Sequence, residues 1–395
     1  MLYLIYTIVI IALGLYSFVL VDPNITFVQN GYWVSFRDIA VQIGYYQREV
    51  SWYIFLSLIV LLFAFHLYFV KKYKEISLKK IAIILGTLLL ISYPFLSHDF
   101  FNYMFDAKIL TYYHQNPYLQ RALDYPADQW IRFMHWTHRT YPYGPIFLLL
   151  SLIPSSLGFG KFTLSFLLFK AFFILCYGAS VYLLNKLNKK WAVIFATHPL
   201  IIIEGLVSSH NDMVALSLAI IGIYFLFKNN KVWGRLFLLF SGGIKYISFP
   251  VIFFSRLSFR GAAEKSSEAY ANAGFLSRLL LLRNDKNVRN KIVFIFQITI
   301  LGYLSLKMEI QPWYFLALFA FLPFFEEIIS GMNIFFFGLL MSYYPYIRLG
   351  GWDTAEKVNL KHQIIFIFFL INVFYFCFRL LLKRYKSLYK VVTRT

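Results

Sequence analysis

Long apolar runs recur along almost the whole of this 395-residue chain, with only short basic or aromatic connectors between them. A bilayer core about 30 Å thick takes roughly 20 apolar residues per helix, and backbone inside it must satisfy its own hydrogen bonds. The runs at 2–21, 51–70, 81–97, 163–185, 191–207, 212–227, 233–244, 246–255, 292–307, 313–327, 330–346 and 362–382 therefore predict an all-α, polytopic membrane protein. That gives about twelve spans. With 60% apolar, 21% aromatic and 14% charged residues, the chain does not have the balance of a water-soluble domain. The first twenty residues lack a basic leader and a small-residue cleavage site, so they read as an uncleaved first span.

The formal charge of +20 could point to nucleic acid, but the basic residues lie in short clusters between apolar runs. In that position they read as topology signals beside anionic lipid, and no nucleic-acid partner is expected. The clusters at 71–80, 185–190, 228–231, 256–291 and 383–390 are assigned to the cytoplasm, with both termini. Parity then lays 141–160 along the outer interface instead of across the bilayer. It also folds 234–254 into a hairpin turning near Ser241-Gly242-Gly243, with Lys245 near the tip. The chain divides into a two-span N-terminal extension (1–80), a core (81–327) and C-terminal spans with a basic tail (328–395). The core holds an outer loop at 98–162 and a cytoplasmic linker at 256–291. Cys176 and Cys377 stand far apart in apolar runs, so neither a disulfide framework nor a metal-ligand spacing is present, and no cofactor is expected.

The parity argument gathers the unusual residues on the outer face. Asp99 stands where the third span emerges; by itself it could be a helix cap. Asp106, seven residues on, could share a helical face with it or be a solvated charge, and the solvated charge is the simpler reading. Asn116-Pro117-Tyr118 and Tyr141-Pro142-Tyr143-Gly144-Pro145 carry turn chemistry, and His198-Pro199 predicts a kink in the fifth span. His210-Asn211-Asp212 supplies a turn and a cap for the sixth span. A cap does not account for His210, nor for Glu204 inside the preceding apolar run, and intramembrane ionisable groups are functional hypotheses by default. Lys245 is either an interfacial lysine or a cation for a phosphate. Gln311-Pro312-Trp313-Tyr314 is either an aromatic anchor or a pocket wall.

The order of these elements resembles the GT-C superfamily of membrane glycosyltransferases, in particular the polyprenol-phosphate-mannose-dependent mannosyltransferases of mycobacterial lipoglycan synthesis and their bacterial and archaeal relatives. The resemblance covers roughly residues 81 to 327 and depends on the ordered set, since no one motif is specific. It implies that Asp99 is the general base. It further implies that Lys245, His210, Asn211, Asp212, Tyr143, Gln311, Trp313 and Tyr314 bind the phosphate and sugar of the donor. His98, Asp106, Asn116, Tyr118 and Glu204 are secondary candidates. The chain departs from the pattern at His98 and in the phenylalanines that follow Asp99. The implied partners are a polyprenyl-phosphate sugar, membrane lipid, and a glycan, lipid or protein acceptor on the outer face. A secondary transporter or flippase for a lipid-linked or anionic substrate is the other class such a chain could serve. It would need its polar groups at mid-depth, and the chain has no internal repeat.

Overall fold

The computed structural model describes residues 1–253 and 286–392, and every regular element among them is helical. Most of the linker expected at 256–291, up to residue 285, lies outside the described residues. Among the described residues four helices are long and apolar enough to cross a bilayer: α1 (Leu2–Tyr16) with its continuation to Leu20, α3 (Arg48–Lys71), α7 (Phe162–Leu187) and the apolar part of α15 (Ala355–Val392). At 1.5 Å per residue α7 is about 39 Å long, ample for the apolar core.

The other apolar runs fold into shorter pieces. In chain order these are α2 (Gly31–Val41), α4 (Leu78–Leu89), α5 (Asp99–Thr111), α6 (Pro145–Leu157), α8 (Lys189–Thr197), α9 (Asn211–Phe227), α10 (Lys231–Gly242), α11 (Lys286–Lys307), α12 (Glu326–Gly331), α13 (Asn333–Met341) and α14 (Tyr344–Leu349). Between them lie a π-helical stretch (Ile201–Val207) and 3-10 stretches at Tyr246–Phe253 and Pro312–Phe321. α8 and the π-helical stretch meet at a bend of 67°, at Pro199, which has no N–H to give and whose ring clashes with the preceding turn. The runs at 313–327 and 330–346, expected to be continuous helices, are instead broken. Pro312 opens the 3-10 stretch, Pro323 follows it, Gly331 ends α12 and Pro345 opens α14.

α9 is central. It packs against α7, α10 and the Pro312–Phe321 stretch, and twelve of its residues are buried, which is why its sequence has no polar face. The first two long helices are built into the same body: α1 packs on α4, and α3 packs on α8 and α14.

One buried lysine ties these elements together. The Lys170 ammonium, on α7 and fully buried, donates to the carbonyls of Leu206 and Val207, the latter at 3.0 Å, and reaches the hydroxyls of Ser92 at 2.9 Å and Ser209 at 3.2 Å. Burying a charge is costly unless it is hydrogen-bonded throughout, and this ring of oxygens meets that condition. It also fixes Ser209, whose φ of 57° lies in the left-handed region that side chains rarely adopt. Lys170→Met would strip the Val207 carbonyl of this donor and leave the Leu206 carbonyl only the Ser209 hydroxyl. It is expected to cost about 1–3 kcal/mol of stability, the penalty of one unsatisfied group, read as a lower thermal unfolding midpoint in detergent.

Candidate active site

Asp99 opens α5, its backbone N–H donating to the Ser97 hydroxyl at 3.2 Å. Its carboxylate looks into a cavity of ≈ 690 Å³, within the range of small-molecule sites. His98, Tyr143, Lys245, Gln311, Trp313 and Tyr314 line the same cavity. Burial raises the Asp99 carboxyl above the usual carboxylate range, against the pull of Lys245, Arg139, the Tyr143 hydroxyl and His135. The Tyr143 hydroxyl donates to Asp99 Oδ2 at 3.4 Å.

Tyr143 and Lys245 are neighbours because two turns make backbone contact. α10 ends at Gly242, the chain turns at Gly243, and the Tyr246–Phe253 stretch returns along α10, where the Arg235 guanidinium donates to the Ile252 carbonyl at 2.9 Å. The Gly144 N–H donates to the Ile244 carbonyl at 3.0 Å across this turn. A Cβ on Gly144 would come within 1.8 Å of the Gly243 carbonyl oxygen, so only glycine fits the Tyr-Gly-Pro turn here. Lys245 Nζ then lies 5.9 Å from the Tyr143 ring centre and 4.9 Å from that of Tyr314, and bonds Asp212 Oδ2 at 2.7 Å.

His210, Asn211 and Asp212 stand behind the cavity wall and not in it, at 0%, 0% and 2% exposure. The Trp313 ring stacks on His210 at 3.9 Å, between the imidazole and the cavity it was expected to enter; direct contact of His210 with a phosphate is therefore not available in this arrangement. Asp212 bonds Lys245 through Oδ2, and its Oδ1 has no partner. The groups facing the imidazole are Glu204, with Oε2 3.4 Å from Nε2, and Asp99, with Oδ2 3.9 Å from Nδ1. Asn211 places its N–H 3.4 Å from the Tyr103 hydroxyl, and neither atom of its side-chain amide has a partner.

The remaining expectations fall at the rim, in the wall and behind it. Asn116 makes an Asx turn, its Oδ1 accepting from Tyr118 N–H at 2.9 Å, and the Tyr118 hydroxyl donates to the Tyr143 carbonyl at 3.2 Å. The Asn-Pro-Tyr element thus buttresses the Tyr-Gly-Pro turn and does not line the cavity. Asp106 is not the solvated charge read from the sequence. α5 packs against α6 and α7, which leaves Asp106 6% exposed, and burial pushes its carboxyl up to about 8, with Arg139 opposing and Asp99 adding to the shift. His98 stacks on His135 at 4.1 Å, and burial together with His135 brings it down to about 4.

Several lining residues escaped the sequence reading. Arg139 lies two residues before Tyr141, and that spacing of a cation beside a turn motif was the available signal. Its Nε has no partner, and its guanidinium stands 4.9 Å from the Trp136 ring centre. Arg48 and Leu20 come from the first two long helices, which carry no role in the sequence reading. Trp352 and Glu309 also line the wall. The Lys361 ammonium bonds Glu309 and Gln311 at 2.8 Å each and sits 3.6 Å from the Trp352 ring centre. Among the described residues no three His, Cys, Asp or Glu side chains are grouped to share a metal ion.

A family model described as "alpha-(1->6)-mannopyranosyltransferase, N-terminal domain" matches residues 8–259, well over half of the chain. No curated protein and no solved structure matches it. The matched range holds Asp99, Arg139, Tyr143, Glu204, the His210-Asn211-Asp212 turn and Lys245; it also takes in α3 and nearly all of α1. Gln311, Trp313 and Tyr314 follow it. On this match, the chain belongs to the MptA/B family of alpha-(1->6)-mannopyranosyltransferases.

Proposed function

We propose that the protein transfers mannose from a polyprenyl-phosphate donor to an acceptor hydroxyl at the outer face of the membrane, with Asp99 as the general base. The observation that carries this reading is a carboxylate, a tyrosine and a lysine on one cavity wall of a membrane mannosyltransferase-family chain. The acceptor O–H bond breaks and its proton goes to Asp99. The acceptor oxygen bonds to C1 of the sugar, and the C1–O bond to phosphate breaks with its electron pair on the phosphate. A glycosidase needs a second carboxylic acid to protonate a poor leaving group. Here the leaving group is already a stable anion, so one carboxylate suffices. Lys245 and Arg139 offer it cationic donors. A lipid donor accounts for the membrane setting, since its isoprenoid chain stays in the bilayer while the sugar is delivered at the boundary.

In this reading the clusters at 71–80, 185–190 and 228–231 are cytoplasmic, and the chain crosses the bilayer up to about twelve times, with several crossings made by paired short helices. Both termini are cytoplasmic, and 98–162 lies outside. α6 has 13 residues, about 20 Å of helix, which suits an interfacial segment. Lys161→Cys, in a background lacking Cys176 and Cys377, is expected to react with an impermeant maleimide added outside. Labelling only from the cytoplasm would overturn the topology.

The transfer itself is tested with purified protein and polyprenyl-phosphate mannose, following release of polyprenyl phosphate. Asp99→Asn is nearly isosteric but cannot take the proton, so activity should fall by about 100- to 10,000-fold, the usual range for a general base. Because burial raises the Asp99 carboxyl, wild-type activity should be lost as pH falls through that raised value and be retained above it. Asp106→Asn should do far less, since a carboxyl raised to about 8 is already largely protonated at neutral pH. Equal losses at both positions would replace the single base by a carboxylate pair.

Lys245→Met keeps the stem and removes the charge. It should cost about 2–4 kcal/mol in kcat/KM if the ammonium stabilises the departing phosphate as an oxyanion donor does. An unchanged kcat/KM would detach Lys245 from the reaction.

A further inference from the structure

We propose that Glu204 and His210 form a buried positioning pair for Asp99, in which Glu204 holds the imidazole proton on Nε2 and so turns the lone pair of Nδ1 toward the Asp99 carboxylate. The proposal rests on the reading of Asp99 as base. It starts from an anomaly: His210 is fully buried, and neither ring nitrogen has a hydrogen-bond partner. Buried polar atoms are nearly always paired, so two unpaired nitrogens on one ring call for an explanation. The orphaned nitrogens face carboxylates on opposite sides, Glu204 Oε2 at 3.4 Å from Nε2 and Asp99 Oδ2 at 3.9 Å from Nδ1.

The surroundings fix this geometry from three directions. Stacking on Trp313, with 14° between the planes, sets the plane of the imidazole. The His210 N–H donates to the Glu204 carbonyl at 3.0 Å, which ties the two residues together across the end of the π-helical stretch. Tyr343 donates to Glu204 Oε1 at 2.9 Å and leaves Oε2, itself without a partner, for the histidine. An ionised Glu204 can only accept, so in that state the imidazole proton between the two belongs on Nε2, and which nitrogen carries it is set by the bond the other one makes. In uncomplexed sites such contacts are often long and close only with substrate in place.

The consequence for the reaction is differential. Ionised Asp99 gains nothing from a lone pair at Nδ1. Once Asp99 has taken the acceptor proton, its O–H can donate to that lone pair, so the arrangement stabilises the base only after it has done its work. No proton need pass through the imidazole. The opposite tautomer would place N–H against ionised Asp99, hold it in the ground state and weaken it as a base.

Glu204→Gln tests this directly. With the glutamine oxygen still accepting from Tyr343, its NH₂ faces His210 and forces the proton onto Nδ1. We expect kcat to fall by about 100-fold, the lower end of what a base contributes, with the donor KM unchanged. The acid limb of the pH profile should also move to lower pH, because an N–H donor now favours ionised Asp99 beside Lys245, Arg139, Tyr143 and His135. The other charged groups that act on Glu204, Lys361 and Asp212, are untouched by the change. His210→Phe keeps the stack on Trp313 and should lose a similar factor, while His210→Asn, with an amide oxygen near the position of Nδ1, should recover part of it.

A readout independent of turnover is the ¹⁵N spectrum of histidine-labelled protein. The signal missing from His210→Phe should report an Nε2–H imidazole in the wild type and an Nδ1–H imidazole in Glu204→Gln. Full kcat in His210→Phe beside an inactive Asp99→Asn would remove the pair and leave the base standing. An Nδ1–H wild-type imidazole, or a tautomer unmoved by Glu204→Gln, would overturn the proposal even if the protein used no polyprenyl-phosphate sugar at all.

Discussion

Lys170 holds the structure's central compromise. A chain that must satisfy its backbone inside lipid cannot easily stop one helix and start another at depth, yet the π-helical stretch ends and α9 begins in fully buried surroundings. The carbonyls at Leu206 and Val207 are collected by the Lys170 ammonium on α7, which also reaches Ser92 before α5 and Ser209 in the strained turn. A lysine there neither snorkels nor pairs with a carboxylate. Its charge is absorbed by two carbonyls and two hydroxyls at the break, so the cost of burying it and the cost of breaking the helix offset each other. Because Ser209 precedes His210, this junction sets where His210, Asn211 and Asp212 stand.

A second constraint acts at the rim, where Gly144 meets Gly243 and Ile244. Two turns about a hundred residues apart approach so closely that neither could carry a side chain without displacing the other, given the 1.8 Å contact a Gly144 Cβ would make and the 2.8 Å contact of a Gly243 Cβ with Ile146. Fixing backbone on backbone leaves Tyr143 and Lys245 little freedom to separate. Together the two junctions bring Asp212, Lys245, Tyr143 and Asp99 into one connected chain of contacts, at 2.7 Å, 5.9 Å and 3.4 Å in turn.

The parts of this arrangement that the sequence made legible are those with local causes. The apolar runs identified helices in a membrane, Pro199 its kink, and Gly242-Gly243 the hairpin that presents Lys245. Asp99 and Lys245 could be picked out because charge is rare beside such runs. What could not be read was pairing. Asp212 read as part of a helix cap, but its ionic partner lies 33 residues on, at Lys245. Asp106 looked solvated because nothing local says that α5 packs against α6 and α7. Helix continuity also failed at 312–349, where apolar composition reports burial equally well for helices interrupted by Pro323, Gly331 and Pro345. Arg48 and Arg139 join the cavity only through tertiary placement of α3 and the loop before the Tyr-Gly-Pro turn.

The charge balance of the cavity follows from these pairings. Lys245 is paired with Asp212 and Glu309 with Lys361, yet the Lys245 ammonium still lines the cavity and acts on Asp99. Arg48 and Arg139 line the same wall and enter no ion pair among the described residues, although Arg48 does donate to the Tyr45 carbonyl. In the proposed transfer the donor arrives as a phosphodiester with one negative charge and leaves as a phosphomonoester that gains a second. The cations with charge to spare are thus best matched to the species formed as the bond breaks. Asp99 experiences the converse. Lys245 and Arg139 favour its ionised form, burial favours its protonated form, and a base that must both be ionised at rest and accept a proton in the transition state needs the two influences to stay close to balance.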